Sequence, residues 1–113
     1  MTRIGLIGPG KVGRSIAKAL PRDRYLLGPV RGKGPSAARR LVRDLHDGGA
    51  VTSAKPFADC DAILVATPET AVAAVVEELI EADIAWRGKC VLHTCRECSP
   101  AFARLAELGA AVD

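Results

Sequence analysis

A chain of 113 residues suits one domain and can bury a hydrophobic core of its own. With 49% hydrophobic and 26% charged residues it reads as globular rather than disordered, and no apolar run nears the roughly 20 residues of a membrane helix. The net charge of +3 is unevenly spread: residues 1–50 carry 11 Lys and Arg against 3 Asp and Glu, and residues 51–113 carry 5 against 10. A basic first half suits a domain that receives phosphate groups on that side, although solvated helix faces account for most of these charges.

Met1-Thr2-Arg3 leads almost directly into Ile4-Gly5-Leu6-Ile7, a short apolar run that predicts a buried strand. No signal peptide precedes it, so a cytoplasmic location is expected, with neither a membrane nor a nucleic acid as partner. Lys11 to about Leu20 follows as a helix, with Val12, Ile16, Ala19 and Leu20 at helical period and Pro21 as its stop. Tyr25 to Val30 predicts a second strand, weakened by Gly28-Pro29. Pro35 to Asp47 predicts a helix with Ala38, Leu41, Val42 and Leu45 inward, ended by Gly48-Gly49. A weak strand is expected near Ala50–Thr52, and a clear one over Asp61 to Ala66.

Thr70 to Asp83 is the cleanest helix, with Val72, Val75, Val76, Leu79 and Ile80 on one face and Glu77, Glu78 and Glu81 on another. Lys89 to Thr94 predicts a strand. Ser99-Pro100 reads as a cap followed by proline in the first turn of a helix that stops at Gly109, and Ala110-Ala111-Val112 begins one more strand. Strands and helices alternate throughout, which predicts an α/β fold with a doubly wound parallel sheet in a single domain over residues 1–113.

Gly8-Pro9-Gly10-Lys11-Val12-Gly13 is a G-x-G-x-x-G placed where a buried strand turns into a helix. In that context the pattern points to a Rossmann NAD(P)-binding domain. Gly8 permits the tight turn, Gly10 lets a pyrophosphate approach the backbone, and Gly13 lets the helix pack on the sheet. The helix N-terminus offers free N–H groups to the phosphates. An NAD-type domain places an acid near the end of the second strand, but no acidic residue lies between Tyr25 and Arg43. Arg31 and Lys33 stand there instead and suit a 2′-phosphate, so the expected cofactor is NADP(H) rather than NAD(H).

The run Arg3 to Gly13 resembles the opening of the 6-phosphogluconate dehydrogenase-like superfamily, which includes pyrroline-5-carboxylate reductases, β-hydroxyacid dehydrogenases and deazaflavin-dependent NADP oxidoreductases. Ala66-Thr67-Pro68 and Gly88-Lys89-Cys90-Val91-Leu92-His93-Thr94 resemble a branch that carries a C-terminal domain of unknown function. The resemblance implies an oxidoreductase moving hydride to or from a C=O or C=N group of a small-molecule substrate. It also implies a C-terminal substrate and dimerisation domain beyond residues 1–113, without which the isolated chain is expected to turn over poorly and to self-associate. The turn Cys95-Arg96-Glu97-Cys98 departs from the small, glycine-containing turn of that branch.

Ala66, Thr67 and Pro68 follow the fourth strand at the edge where ligands bind in open α/β sheets, and His93 and Thr94 end the fifth at the same edge. All five join Gly8, Pro9, Gly10, Lys11, Val12, Gly13, Arg31 and Lys33 as candidate cofactor-binding residues. His93 could serve as a proton donor, but a lone histidine reads better as a structural bond to the loop backbone, and no residue is assigned as catalytic. His93, Cys95 and Cys98 fall short of the four ligands of a structural zinc site, so no metal is expected and the four thiols are read as free. Two rival readings stand beside the oxidoreductase: a nucleotide-binding module or partner subunit without catalysis, and a fold used only for protein contacts.

Overall fold

The computed structural model describes residues 1–96 and 99–113. The elements run β1 (Thr2–Ile7), α1 (Lys11–Ala19), β2 (Tyr25–Arg31), α2 (Pro35–Leu45), β3 (Gly49–Ala50), a 3-10 turn (Lys55–Asp59), β4 (Ala62–Val65), α3 (Glu69–Glu81), β5 (Cys90–His93), α4 (Ser99–Glu107) and β6 (Ala111–Val112). The six strands form one sheet in the order β3-β2-β1-β4-β5-β6, and every pairing is parallel. This is the α/β, doubly wound parallel sheet that the alternation predicts.

Both faces of the sheet are covered, which is why its central strands read as continuous apolar runs. Ile4, Leu6, Leu27, Val30, Ala62 and Leu64 pack with Ala17 of α1 and Ala38 and Leu41 of α2. Ile7, Ile63, Val65 and Val91 pack on the other face with Val72, Val76 and Leu79 of α3 and Phe102 and Leu105 of α4. Two large members of this second core, Phe57 in the 3-10 turn and Trp86 before β5, come from segments without periodicity.

The weak point of β2 has a physical form. Ile4 pairs with Leu27 and Leu6 with Val30, so Gly28 and Pro29 together oppose Gly5 in a β-bulge. The strand therefore continues through the two residues that argued against it. At the end of α2 the left-handed cap is His46 (φ 52°), whose N–H donates to the Val42 carbonyl, rather than the predicted glycine pair. A histidine tolerates this region better than most residues with a Cβ.

Gly5 sits where β1 passes under Phe57. A Cβ there would lie 2.5 Å from Cδ1 and Cε1 of Phe57 and 2.9 Å from Sγ of Cys60, and Phe57 is fully buried. Gly5→Ala is expected to destabilise the domain by about 1–3 kcal/mol through overpacking, read as a lower urea midpoint at unchanged slope. An unchanged midpoint would show that Phe57 can yield. Burial pushes the adjacent Cys60 thiol up to about 11, which makes it a packing group rather than a nucleophile at neutral pH.

Candidate functional site

The chain order places α1 and α2 on one face and α3 and α4 on the other, so the crossovers diverge between β1 and β4. Their carboxyl ends form the crevice where open α/β sheets bind ligands. Three backbone bonds extend the ladder past the strand ends: Gly8 N–H to the Arg31 carbonyl (2.9 Å), Ala66 N–H to that of Ile7 (2.8 Å) and Thr94 N–H to that of Val65 (3.2 Å). Gly8, Arg31, Ala66 and Thr94 thus share one edge.

The three glycines of the turn do different work. Gly8 has a φ of 99°, and a Cβ on it would come within 2.7 Å of the Ala66 carbonyl and 2.9 Å of the Thr67 nitrogen. It lets the first loop lie directly against the fourth strand's loop. A Cβ on Gly13 would collide with the Gly8 carbonyl oxygen, so Gly13 permits the close seating of α1 on the turn. Gly10 faces open space, with nothing within 4 Å of a built Cβ. It is the N-cap of α1, and the helix has neither a side-chain cap nor an acidic residue in its first turn. Its leading N–H groups and positive dipole end are left for an anion.

A cleft of about 740 Å³ opens in front of this turn. One wall is Gly8, Pro9 and Gly10; another is Arg31 to Gly34 with Ser36 and Ala37; the third is Ala66, Thr67 and Pro68 with Thr70, Ala71, Ala74, Val75 and Glu78 of α3. The lining is largely apolar, as small-molecule clefts are. Thr67 holds a buried hydroxyl oxygen with no hydrogen-bond partner among the described residues, a group that a ligand can satisfy. A smaller groove of about 370 Å³, lined by Arg3, Leu26, Gly28 and Asp47 among others, lies toward the starts of β1 and β2, away from the carboxyl edge.

Of the candidate residues, the fold gathers Gly8, Pro9, Gly10, Arg31, Lys33, Ala66, Thr67 and Pro68 around the cleft. Lys11, Val12, Gly13, His93 and Thr94 lie outside its lining. Gly13 is buried and Val12 exposed, both in the first turn of α1. The His93 ring stacks on Phe102 of α4, with centroids 4.2 Å apart and planes 6° apart, and its buried Nδ1 has no partner among the described residues.

The Arg31 guanidinium, which the sequence offers to a 2′-phosphate, grips Glu78 of α3 at two points. Glu78 escaped the sequence reading because it stands among several glutamates on one helix face, and only the fold brings it to the end of β2. Cys60 and Cys90 are free thiols, as expected, but Cys95 is disulfide-bonded. Cys98 lies outside the described residues, among which no cluster of three or more His, Cys, Asp or Glu could hold a metal ion. Among the same residues no helix is long and apolar enough to cross a membrane.

The sequence pattern of the Rossmann-like domain matches residues 1–111. The chain belongs to the Rossmann-like domain family. Comparison with curated proteins finds no match. Among solved structures, this Rossmann-like domain is similar to the imine reductase of Bacillus cereus, with 19% identity over 99% of this chain and 39% of that one, and a TM-score of 0.76. It is similar to the myo-inositol dehydrogenase of Lactobacillus casei, solved with NAD(H) and myo-inositol, at 20% identity over 96% of this chain and 33% of that one, TM-score 0.73. It is also similar to the biliverdin reductase of a Synechocystis species, solved with biliverdin and NADP+, at 18% identity over 98% of this chain and 36% of that one, TM-score 0.69. At these identities the likeness shows the fold, and the domain spans well under half of each neighbour's length.

Proposed function

We propose that this Rossmann-like domain binds NADP(H) for an oxidoreductase that moves hydride to or from a C=O or C=N group, of the 6-phosphogluconate dehydrogenase-like type. The observation that carries the reading is the pairing of an open glycine turn at an uncapped helix N-terminus with a cleft end that holds Arg31 and Lys33 and no acid on β2. The fit is further supported by the unpartnered Thr67 hydroxyl on the opposite wall. Neighbours solved with NAD(H) and with NADP+ support a dinucleotide in general, so the choice between the two rests on this chain's own residues.

When bound, the cofactor supplies the hydride chemistry, and the protein's part is to hold and orient it. Gly8 to Gly10 and the first turn of α1 take the pyrophosphate, Arg31 and Lys33 take the 2′-phosphate, and Ala66 to Pro68 support the nicotinamide half. His93 and Thr94, farther along the same sheet edge, are the remaining cofactor contacts. The substrate is a small molecule sheltered by a further domain, which a homo-oligomer would complete, and the protein works in the cytoplasm.

Titration with NADPH and NADH tests the reading. NADPH is expected to bind more tightly, and Arg31→Ala with Lys33→Ala to weaken NADPH by about tenfold to a hundredfold while NADH changes little. Surface screening holds the loss below the sum of two charge-assisted bonds, and the difference should shrink as salt rises. Equal binding of both cofactors by the parent and the double variant would overturn the NADP assignment.

A further inference from the structure

The Arg31–Glu78 pair belongs to the lining of the cleft itself. Arg31 closes β2 and Glu78 stands in the third turn of α3, and both line the cleft. Nε of Arg31 donates to Oε1 of Glu78 at 2.9 Å and Nη2 donates to Oε2 at 3.1 Å. Such a two-point fork is the geometry by which a guanidinium also grips a phosphate. The other ion pairs among the described residues, Arg14–Asp44, Arg22–Asp47 and Arg104–Glu77, are single contacts outside this cleft. At side-chain exposures of 27% and 39%, the Arg31–Glu78 pair is neither sealed in the core nor loose on the surface.

We infer that Glu78 is a built-in competitor for the cofactor's 2′-phosphate on Arg31, and so sets how strongly the cleft prefers NADPH over NADH. The inference rests on the dinucleotide reading above. Without cofactor, the carboxylate neutralises Arg31 and occupies its Nε edge. A 2′-phosphate arriving at that guanidinium either displaces the carboxylate, at the cost of the ion pair, or shares the cation with it and meets a like charge at close range. NADH brings only hydroxyls to this point and meets no such penalty. Lys33 carries no ion pair among the described residues and supplies the remaining positive charge. The acid that NAD-type domains carry on the second strand is thus replaced by one reaching across from α3, acting on the cofactor through Arg31.

Glu78→Gln keeps the shape and removes the charge. It is expected to tighten NADPH binding about tenfold, with NADH within about threefold of the parent. The gain should vanish when Arg31→Ala is added, because the two residues act as one unit. Glu77→Gln removes the same charge one residue away, where it pairs with Arg104 outside the cleft, and should leave the NADPH-to-NADH ratio unchanged. Glu78→Ala provides a second variant with the same expected sign should the glutamine variant fold poorly. If the parent binds cofactor and NADPH affinity is unchanged or weaker in both Glu78 variants, or rises equally in Glu77→Gln, the competitor role is wrong and the dinucleotide reading stands. If the parent binds neither NADPH nor NADH, both fall together.

Discussion

Gly13→Ala is expected to lower the melting temperature by about 10 °C or more, corresponding to roughly 3 kcal/mol or above in a domain of this size. The added methyl would collide with the Gly8 carbonyl oxygen and would stand 3.2 Å from the Gly8 carbonyl carbon and from Cδ1 of Leu6. The obstructing atoms are backbone, so no rotamer change relieves the clash. Moving Gly8 does not relieve it cheaply either, because Gly8 is pinned against Ala66 and Thr67 on its other side and its N–H is bonded to the Arg31 carbonyl. The turn and helix must part, and with them the contact that seats α1 on β1.

The sign of the result discriminates between two physical accounts. Gly13 lies inside α1, where helix propensity alone favours alanine over glycine by about 1 kcal/mol. If propensity governed the position, the variant would be more stable. Thermal or urea unfolding followed by circular dichroism settles the matter, and a variant as stable as the parent would mean that the turn yields without cost.

The central elements are legible in the sequence for a reason that also explains which parts are not. Ile4 to Ile7 and Ile63 to Val65 are buried from both sides, so they carry no alternation to misread, and α3 shows its inward stripe because its other face meets water. Phe57 and Trp86 are core residues by tertiary contact alone: one lies in a short 3-10 turn and the other in an irregular approach to β5, and neither segment is long enough to display a period. Gly28-Pro29 announces a break in the strand, but whether that break is an end or a bulge depends on the register with Gly5.

The cleft divides in the same way. The glycine turn is local in sequence, so the tight turn at Gly8 and the close packing at Gly13 are readable in it. The carboxylate that engages Arg31 is 47 residues distant, and no local pattern marks Glu78 apart from its neighbours on α3. His93 ends β5, one residue short of the predicted Thr94, and the ring packed against it comes from Phe102 on the following helix, which spacing along β5 does not reveal.

Gly10→Val tests the site where Gly13→Ala tests the fold. A Cβ at Gly10 meets nothing within 4 Å, and the backbone there is extended, at φ −80° and ψ −165°, a conformation that valine adopts readily. The domain should therefore fold, losing about 1 kcal/mol or less because valine is a poorer N-cap than glycine. The branched side chain would project into the empty space before the first N–H groups of α1, where the pyrophosphate must come to reach them. Losing charge-assisted hydrogen bonds there, at about 1.5–3 kcal/mol each, is expected to weaken binding by a hundredfold or more. Because the pyrophosphate is common to both cofactors, NADPH and NADH should lose affinity in parallel, unlike the selective loss expected from Arg31 and Lys33. Gly10→Ala should fall between parent and valine variant. A folded Gly10→Val variant that bound NADPH within about threefold of the parent would place the phosphates elsewhere and remove the turn from the site.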